Sequence, residues 1–362
     1  MRRSPAVTLL SMTGSSAAAA AAAAAHRAQP ALPPSAFYRP LCPEGRDQGD
    51  PYLLPVPSDA ATRFAYYVYV TGHDEAAGRA FPVYGSDDLL RWRPLGGALV
   101  ADLTRAHWAP CVRYVPGLAR PFVMLYSRAI GLGEEAHIGH KLRRADSASP
   151  EGPFVDSGHV LTPDLDFAID PDVYRLRDGA LRLAFATDFV DDPPLGTGLV
   201  EARISEDLTE ILSPPEVLAR AQYDWQVYNP ARKLPWKSIP GVDWRTDTVR
   251  WHTVEAPAGG LVSPAGHDVY LYSGGCFLGY YAIGALVRDE HGNLVDVAGE
   301  DGTVVLRPRP EAGFFAPGHC CWFTGPDGQP YLMFHARYGA PDALRQMSLA
   351  PLRWTDQEHP YA

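Results

Sequence analysis

Three carboxylates in this sequence stand at similar positions relative to proline. Asp50 and Asp170 each directly precede a proline, and Glu255 precedes one by two positions. Each then leads into a segment with the composition of a β-strand. Two facing carboxyl groups can cleave a glycosidic bond, because one protonates the leaving oxygen while the other activates water or attacks the sugar. The acid must keep its proton near neutral pH, which requires burial or a nearby negative charge.

The carboxylates belong to a longer pattern, in which a distinctive residue is followed 11 to 16 positions later by a short aromatic-rich strand. The five leading residues are Asp50, Trp108, Asp170, Glu255 and His319. The five trailing segments are 66–70, 122–126, 181–185, 269–272 and 331–334. Repeats at such intervals have the length of one four-stranded sheet with its loops. They predict an all-β fold, a five-bladed β-propeller, as a single domain over residues 38–362.

A propeller also explains why a polar residue leads each repeat. The innermost strand of every blade lines the central channel, so side chains that are distant in sequence converge there. A two-sheet sandwich or jelly roll is the alternative, but it offers no such reason. Only 206–211 and 216–221 have the composition of short helices. The stretch 223–251, rich in Trp, Pro and Arg, predicts one enlarged blade.

Composition and charge restrict the class of partner. The chain has 362 residues, a net charge of −10 and a pI near 5.6. A basic face is required to bind phosphate, so nucleic acid and anionic membrane are not expected partners. A neutral small carbohydrate or polysaccharide suits this chain better. The five cysteines, odd in number and without CxxC spacing, predict buried free thiols rather than disulfides or a zinc site.

The N-terminal region has features of a secretory signal. Arg2 and Arg3 precede an apolar stretch at 6–12 and an unbroken alanine run at 17–25. We therefore expect residues 1–37 to form a signal-like leader and linker, and the protein to be secreted. A disordered leader or a misplaced start codon is the alternative, with a cytoplasmic protein. No other segment is long and apolar enough to span a membrane.

Several motifs occur in order along the chain and resemble those of one known family. They are GDPYLL, HWAPCV, ADSASPEGPF, AIDPDVY, VEAPAGG and APGHCCW. On these motifs the sequence resembles glycoside hydrolase family 43 from about Asp50 to Trp354. The resemblance implies a five-bladed propeller that hydrolyses arabinofuranosyl or xylosyl linkages of plant polysaccharide or its oligosaccharides, with inversion. Arabinofuranosidase, endo-arabinanase, xylosidase and galactanase activities share this scaffold.

The resemblance also implies roles for the three carboxylates. Asp50 would be the general base that activates water, and Glu255 the general acid that protonates the leaving group. Asp170 would orient Glu255 and raise its pKa through like charge. Inversion requires the base and acid carboxyls to be about 6.5–9.5 Å apart. Asp47 remains an alternative base, and Asp172 an alternative to Asp170.

Further positions match the family with alternatives left open. His319 corresponds to a histidine that in some members holds a calcium ion through water; otherwise it is a structural residue of the channel. Arg345 falls at a substrate-contacting arginine, although Leu344 replaces the usual preceding glycine. Trp108 either borders the sugar or packs between blades. We expect one or two of the tryptophans at 225, 236, 244 and 251 to stack on substrate.

One departure from the family pattern concerns the acid. Ala256 stands where the family usually has glycine, which is tolerable only if its φ is negative; a positive φ could displace Glu255. The expected function is an inverting glycosidase that requires no cofactor, with a structural calcium ion in the channel as an open question. The alternative is a catalytically inactive propeller that binds carbohydrate or serves as a protein scaffold.

Overall fold

The computed structural model describes residues 31–43, 45–58, 60–299 and 305–362. This part of the chain is β-structure joined by turns, without an α-helix. Its four short 3₁₀ helices are Pro34–Ala36, Gly133–His137, Asp224–Gln226 and Pro310–Ala312. None of the helices in the described ranges is long and apolar enough to cross a membrane.

The strands follow one another as antiparallel meanders. The first comprises β1 (Gly49–Pro55), β2 (Tyr66–Thr71), the short β3 (His73–Asp74), β4 (Arg79–Ser86) and β5 (Arg93–Val100). The second comprises β6 (His107–Tyr114), β7 (Phe122–Arg128), β8 (Lys141–Ser147) and β9 (Phe154–Val160). The third comprises β10 (Ala168–Arg175), β11 (Leu181–Phe189), β12 (Gly196–Arg203) and β13 (Glu216–Ala219).

The enlarged region predicted at 223–251 contributes one extra strand. It is β14 (Val227–Arg232), which pairs with the first strand of the fourth meander. That meander comprises β15 (Val249–Val262), β16 (Asp268–Gly275), β17 (Tyr281–Arg288) and β18 (Leu294–Asp296). The last comprises β19 (Phe314–Thr324), β20 (Pro330–Tyr338) and β21 (Gln346–Pro351), and a hairpin of β22 (Arg353–Trp354) and β23 (Pro360–Tyr361) follows.

The five aromatic-rich segments all form the second strand of a meander, as predicted: β2, β7, β11, β16 and β20. Their side chains are buried on both faces, since each meander packs between two others, which explains why they are nearly continuously apolar. The prediction of short helices was wrong. Residues 216–219 form β13 instead, and an Ile204–Ile211 bridge closes a turn over 206–211. Pairing with β12 outweighs the weak local helix propensity of this segment.

The first strands of the meanders contact one another in a closed circuit. β1 contacts β6, β6 contacts β10, β10 contacts β15, β15 contacts β19, and β19 contacts β1. Side chains at the start of each first strand are therefore brought to a common centre. The main apolar clusters lie between neighbouring meanders, for example between the second and third.

Residues before β1 pack against the last meander. The Tyr38 and Leu41 amides donate to the carbonyls of Leu349 and Met347, both at 3.0 Å, so this segment runs alongside β21. Leu32 is buried, and the Phe37 ring stacks on Tyr331 with centroids 5.8 Å apart. The C-terminal part of the predicted linker is thus part of the folded body. Residues 1–30 of the leader and linker predicted at 1–37 lie outside the described residues.

A β-bulge interrupts each first strand. In all five the strand register shifts across a residue with positive φ, at 47–56°. The five residues are Asp50, Ala109, Asp170, Ala256 and His319. A residue with a side chain in this region costs about 1–2 kcal/mol. Bulges re-aim side chains, so the repeated strain sets where the residues of the centre point.

The expectation for Ala256 needs correction. Its φ is +52°, in the region that favours glycine, yet Glu255 is not displaced from the centre. The Ala256 amide donates a 3.0 Å hydrogen bond to Asp170 Oδ2, and its side chain is buried. This bond and the surrounding packing hold the alanine in its strained conformation.

This strain gives a stability prediction. Ala256→Gly removes the Cβ that disfavours positive φ, and we expect it to be neutral or to stabilise the protein by up to about 1 kcal/mol. Ala258→Gly, on the same strand without positive φ, should destabilise by about 1 kcal/mol. Chemical denaturation of both variants measures the difference. Equal losses of stability would show that the Ala256 backbone is not strained.

Candidate active site

A cavity of about 310 Å³ opens at the centre where the first strands converge. All five leading residues of the sequence pattern line it: Asp50, Trp108, Asp170, Glu255 and His319. The other lining residues are Thr71, His137, Phe167, Ile169, Thr197, Tyr228, Arg232, Thr253, Phe277, Tyr281, His335 and Arg345. The structure thus brings together the three carboxylates, Trp108, His319 and Arg345 that the sequence predicted for the site.

Asp50 lies among positively charged and donor groups. Its Oδ1 is 3.0 Å from Arg345 Nη1 and 3.3 Å from His319 Nδ1, and its amide donates to His335 Nδ1 at 3.0 Å. Burial alone would raise the pKa of this carboxyl. Arg345, and then His319 and His335, outweigh burial and hold the pKa well below its usual range. Asp50 is therefore ionised and accepts hydrogen bonds.

Arg345 is held by a second carboxylate. Asp47 Oδ2 accepts from Arg345 Nε at 2.9 Å and Nη2 at 2.6 Å, and Asp47 Oδ1 accepts from the Arg345 amide at 2.8 Å. Asp47, the alternative base, does not line the cavity. The neighbouring Leu344 is exposed, so its side chain does not disturb the arginine. Gly49 is required here, because a Cβ at this position would lie 1.9 Å from Arg345 Cζ.

Glu255 is buried beside a tyrosine. Its Oε1 accepts a 2.8 Å hydrogen bond from the Tyr281 hydroxyl. Tyr281 reaches it across Gly318, where a Cβ would lie 2.0 Å from the ring. Burial raises the pKa of Glu255 to about 7, opposed by the Tyr281 hydrogen bond and reinforced by the Asp50 carboxylate. A carboxyl group with such a pKa can donate a proton near neutral pH.

Asp170 lies between the two other carboxyls. Its Oδ2 accepts from the Ala256 amide and is 3.9 Å from His319 Nδ1. Burial, and then the carboxylates of Glu255 and Asp50, raise its pKa well above the usual range. The sequence predicted that Asp170 raises the pKa of Glu255. Like charge between Asp170 and Glu255 raises the pKa of Asp170, and Asp170 contacts the Ala256 amide next to Glu255. The effect of Asp170 on the pKa and the orientation of Glu255 stays a prediction.

Asp172, the alternative to Asp170, points away from the cavity. Its Oδ1 accepts from the Tyr52 hydroxyl at 3.3 Å and its Oδ2 from the Gly259 amide at 2.8 Å. In a regular strand, residues two positions apart point to the same face. The bulge at 169–172 shifts the register, so the side chains of Asp170 and Asp172 point in different directions. Asp172 therefore connects three first strands, β10, β1 and β15, through hydrogen bonds.

The His319 ring faces the carboxyl groups of Asp50 and Asp170. Burial lowers its pKa, so the ring is neutral, and its Nδ1 is within hydrogen-bonding range of Asp50. Within the described ranges no group of three or more His, Cys, Asp or Glu side chains is arranged to hold a metal ion. Calcium takes six to eight oxygen ligands, which these residues do not supply, so water would have to provide most of them.

The aromatic wall of the cavity differs from the prediction. Trp108 lines the cavity and packs on His140 of its own meander, with ring centroids 4.1 Å apart. It also packs against the cluster that contains Ile169 of the third meander, as expected for a residue between meanders, while its contact with a sugar stays a prediction. None of the tryptophans at 225, 236, 244 and 251 lines the cavity. Trp251 is fully buried and Trp225 stacks on Tyr272. The lining aromatics are instead Phe167, Tyr228, Phe277 and Tyr281.

Sequence reasoning missed several lining residues because they lie outside the repeated motifs. Tyr228 and Arg232 come from the enlarged region, and Phe277 from the turn after β16. His335 lies inside the predicted YLMFHAR strand, where a histidine among apolar residues was a usable signal. The Tyr pair at 280–281 gave no such signal in the sequence.

Comparison with known proteins agrees with this geometry. The sequence profile described as Glycosyl hydrolases family 43 matches residues 54–360. The chain belongs to this family. It is accordingly a glycoside hydrolase, an enzyme that hydrolyses glycosidic bonds and acts on carbohydrate. A search of curated proteins found no match.

Solved structures show the same fold. A thermostable family-43 glycoside hydrolase is 24% identical, with 87% of this chain and 92% of that chain covered and a TM-score of 0.63. An endo-1,4-β-xylanase from Bacteroides thetaiotaomicron is 23% identical, with 87% and 94% covered and a TM-score of 0.64. An α-L-arabinofuranosidase from Lactobacillus brevis is 18% identical, with 91% and 97% covered and a TM-score of 0.64.

The contact between Asp47 and Arg345 makes a prediction. Asp47→Asn removes the charge that fixes the guanidinium against Asp50, and charge-assisted hydrogen bonds are worth about 1.5–3 kcal/mol. We expect kcat/KM to fall by about tenfold in steady-state assays. Asp342→Asn, on an exposed loop nearby, is the control and should have no effect. Unchanged kinetics in the Asp47 variant would mean that Arg345 is positioned without it.

The raised pKa of Glu255 makes a second prediction. An acid works while protonated, so activity should be present at lower pH and be lost as pH rises through about 7. Tyr281→Phe removes a donor to the ionised form, which should raise this pKa and move the alkaline limb of kcat/KM upward by about one pH unit. Tyr338→Phe, outside the cavity, should leave the limb in place. A downward shift in Tyr281→Phe would contradict the role given to this hydrogen bond.

Proposed function

We propose that this enzyme is an inverting glycosidase that removes arabinofuranosyl or xylosyl units from plant cell-wall polysaccharide or its oligosaccharides. One observation carries the proposal: a single cavity contains an ionised carboxylate, Asp50, and a carboxyl group of raised pKa, Glu255. Opposite protonation states in one site are what acid and base roles require.

In the proposed reaction, Asp50 takes a proton from water, which attacks the anomeric carbon from one side. Glu255 gives its proton to the leaving oxygen on the other side. Arg345 keeps Asp50 ionised and oriented, and Asp170 fixes Glu255 through the Ala256 amide. After turnover both carboxyls have exchanged a proton and must equilibrate with solvent. His319 acts as a neutral donor to Asp50.

We propose that the five meanders are the five blades of a β-propeller formed by residues 38–362. The closed circuit of contacts between first strands supports this, as do the bulges at equivalent positions. The segment 37–41 alongside β21 supplies an outer strand for the last, three-stranded meander. In this view the propeller closes by joining the two ends of the described chain.

Exo action and a pentose substrate are supported by the size and the wall of the cavity. A volume of about 310 Å³ lies at the lower end of ligand sites, which span roughly 300–1,000 Å³. Tyr228 and Phe277 wall the cavity, with ring centroids 6.3 Å apart. The fold is that of proteins described as an endo-1,4-β-xylanase and an α-L-arabinofuranosidase. A pocket of this shape accepts a chain end rather than a continuous chain.

The central test uses aryl α-L-arabinofuranosides and β-D-xylosides. Asp50→Asn should lower kcat by at least about 10³-fold on every substrate, because the base is lost. Glu255→Gln should lower kcat as much when the substrate has a poor leaving group. With 2,4-dinitrophenolate, which departs without protonation, its kcat should change little. NMR should show a first-formed product of inverted configuration. Retention, or equal activity in wild type and both variants, would reject the proposal and favour an inactive, carbohydrate-binding propeller.

Secretion and a structural calcium ion complete the proposal. Secretion is supported by the leader composition. The free cysteines are compatible with it, because burial raises the pKa of Cys111 and of Cys321 to about 12 and makes both thiols unreactive. N-terminal sequencing of the exported protein would identify cleavage near residue 25. Activity that is lost on dialysis against EDTA and restored by calcium would support an ion beside His319.

A further inference from the structure

Arg232 forms part of the cavity wall that β14 contributes. Its Cζ lies 4.8 Å from the centroid of the Tyr228 ring and 5.4 Å from that of Trp251. These cation–π contacts hold the guanidinium group over the two rings. Arg232 lines the same cavity as Asp50 and Glu255.

Arg232 has no direct charged partner in the described part of the chain, although its charge acts at longer range on Glu255 and Asp188. No hydrogen bond or ion pair joins it to another described residue, whereas Arg345 is neutralised by Asp47 and Asp50. Burial lowers the pKa of the lining histidines, which are therefore neutral. Those histidines are His137, His319 and His335. Arg232 is thus the cationic side chain of this wall that remains available to bind a ligand.

The surroundings of Arg232 favour an anionic partner over a hydroxyl group. The faces of the two aromatic rings hold the guanidinium, but no described residue accepts a hydrogen bond from its five N–H groups. A substrate that fills the cavity displaces the water that solvates this charge, and a neutral hydroxyl group would leave the charge uncompensated. A carboxylate compensates it and matches the planar fork of donors with two parallel hydrogen bonds.

Arg232 lies on the side of the acid rather than the base. Arg232 is on β14, which pairs with β15, the strand that carries Glu255. Asp50, in contrast, is contacted by Arg345. In the proposed reaction Glu255 protonates the leaving oxygen, so the group beside Arg232 belongs to the leaving part of the substrate.

We propose that Arg232 binds a carboxylate in the leaving-group part of the substrate, so that the enzyme selects pentosyl units attached to a uronic acid. This inference rests on the proposed function for the direction of cleavage, but the anion site itself does not. Elsewhere in the cavity Asp50 would repel such a carboxylate, so a uronate can enter in one orientation.

Competing ligands test the proposal directly. Calorimetry measures binding of D-glucuronate and of glucuronamide, which has the same shape without the charge, and inhibition of aryl pentoside hydrolysis provides a second readout. We expect wild type to bind the acid at least about tenfold more tightly than the amide. In Arg232→Gln this ratio should fall to within about twofold, and in Arg232→Lys it should be intermediate. Arg245→Gln, on the exposed part of the same region, is the matched control and should keep the full ratio.

Three results would overturn the proposal. They are equal binding of acid and amide by wild type, an unchanged ratio in Arg232→Gln, and competition by inorganic phosphate or sulfate as strong as by glucuronate. The third would indicate a general anion site. If Arg232→Gln does not fold, the wild-type ratio must fall with added NaCl, since screening weakens an accessible charge pair; a salt-independent ratio would also overturn the proposal.

The two proposals fail in different ways. If no aryl pentoside is hydrolysed but calorimetry shows the acid preference, the uronate site stands and the proposed function fails. If pentosides are hydrolysed and the acid preference is missing, the proposed function stands and the role of Arg232 is wrong.

Discussion

The bulge in each first strand is the constraint on which the site depends. It places one residue of positive φ at the centre in all five meanders, and two of those residues, Asp50 and Asp170, are carboxylates. The residue just before the bulge is equally important. There Glu255 is the proposed acid, while Gly49 and Gly318 leave room for Arg345 and Tyr281. A strained backbone thus delivers side chains from distant parts of the sequence to one point.

The second condition for chemistry is that two buried carboxyl groups ionise differently. Burial would raise both pKa values, so the difference must come from neighbours. Asp50 has Arg345 and two histidines around it, whereas Glu255 has a single tyrosine donor and a nearby carboxylate. Asp47 is essential to this asymmetry, since it fixes the arginine that keeps Asp50 ionised.

The sequence predicted the strands and the site to the extent that local patterns determine them. The five aromatic strands and the five leading residues follow from alternation, turn residues and proline positions. The backbone angle of Ala256 could not be predicted, because tertiary packing and the Asp170 hydrogen bond impose it. Nor could the lining aromatics: Tyr228 and Phe277 lie in irregular segments whose direction depends on neighbouring meanders.

The residues proposed for catalysis and those proposed for selectivity differ in the same way. The acid and the base are on strands that contact one another in a closed circuit, so their geometry is rigid and shared by every substrate. Arg232 and Tyr228 come from the extra strand β14, which pairs only with β15 among the described strands. In the proposed reaction, changes in that region would alter which aglycone is accepted without moving the carboxylates. A protein that keeps the five bulges and β15 but replaces residues 223–248 is therefore expected to keep its chemistry and change its substrate.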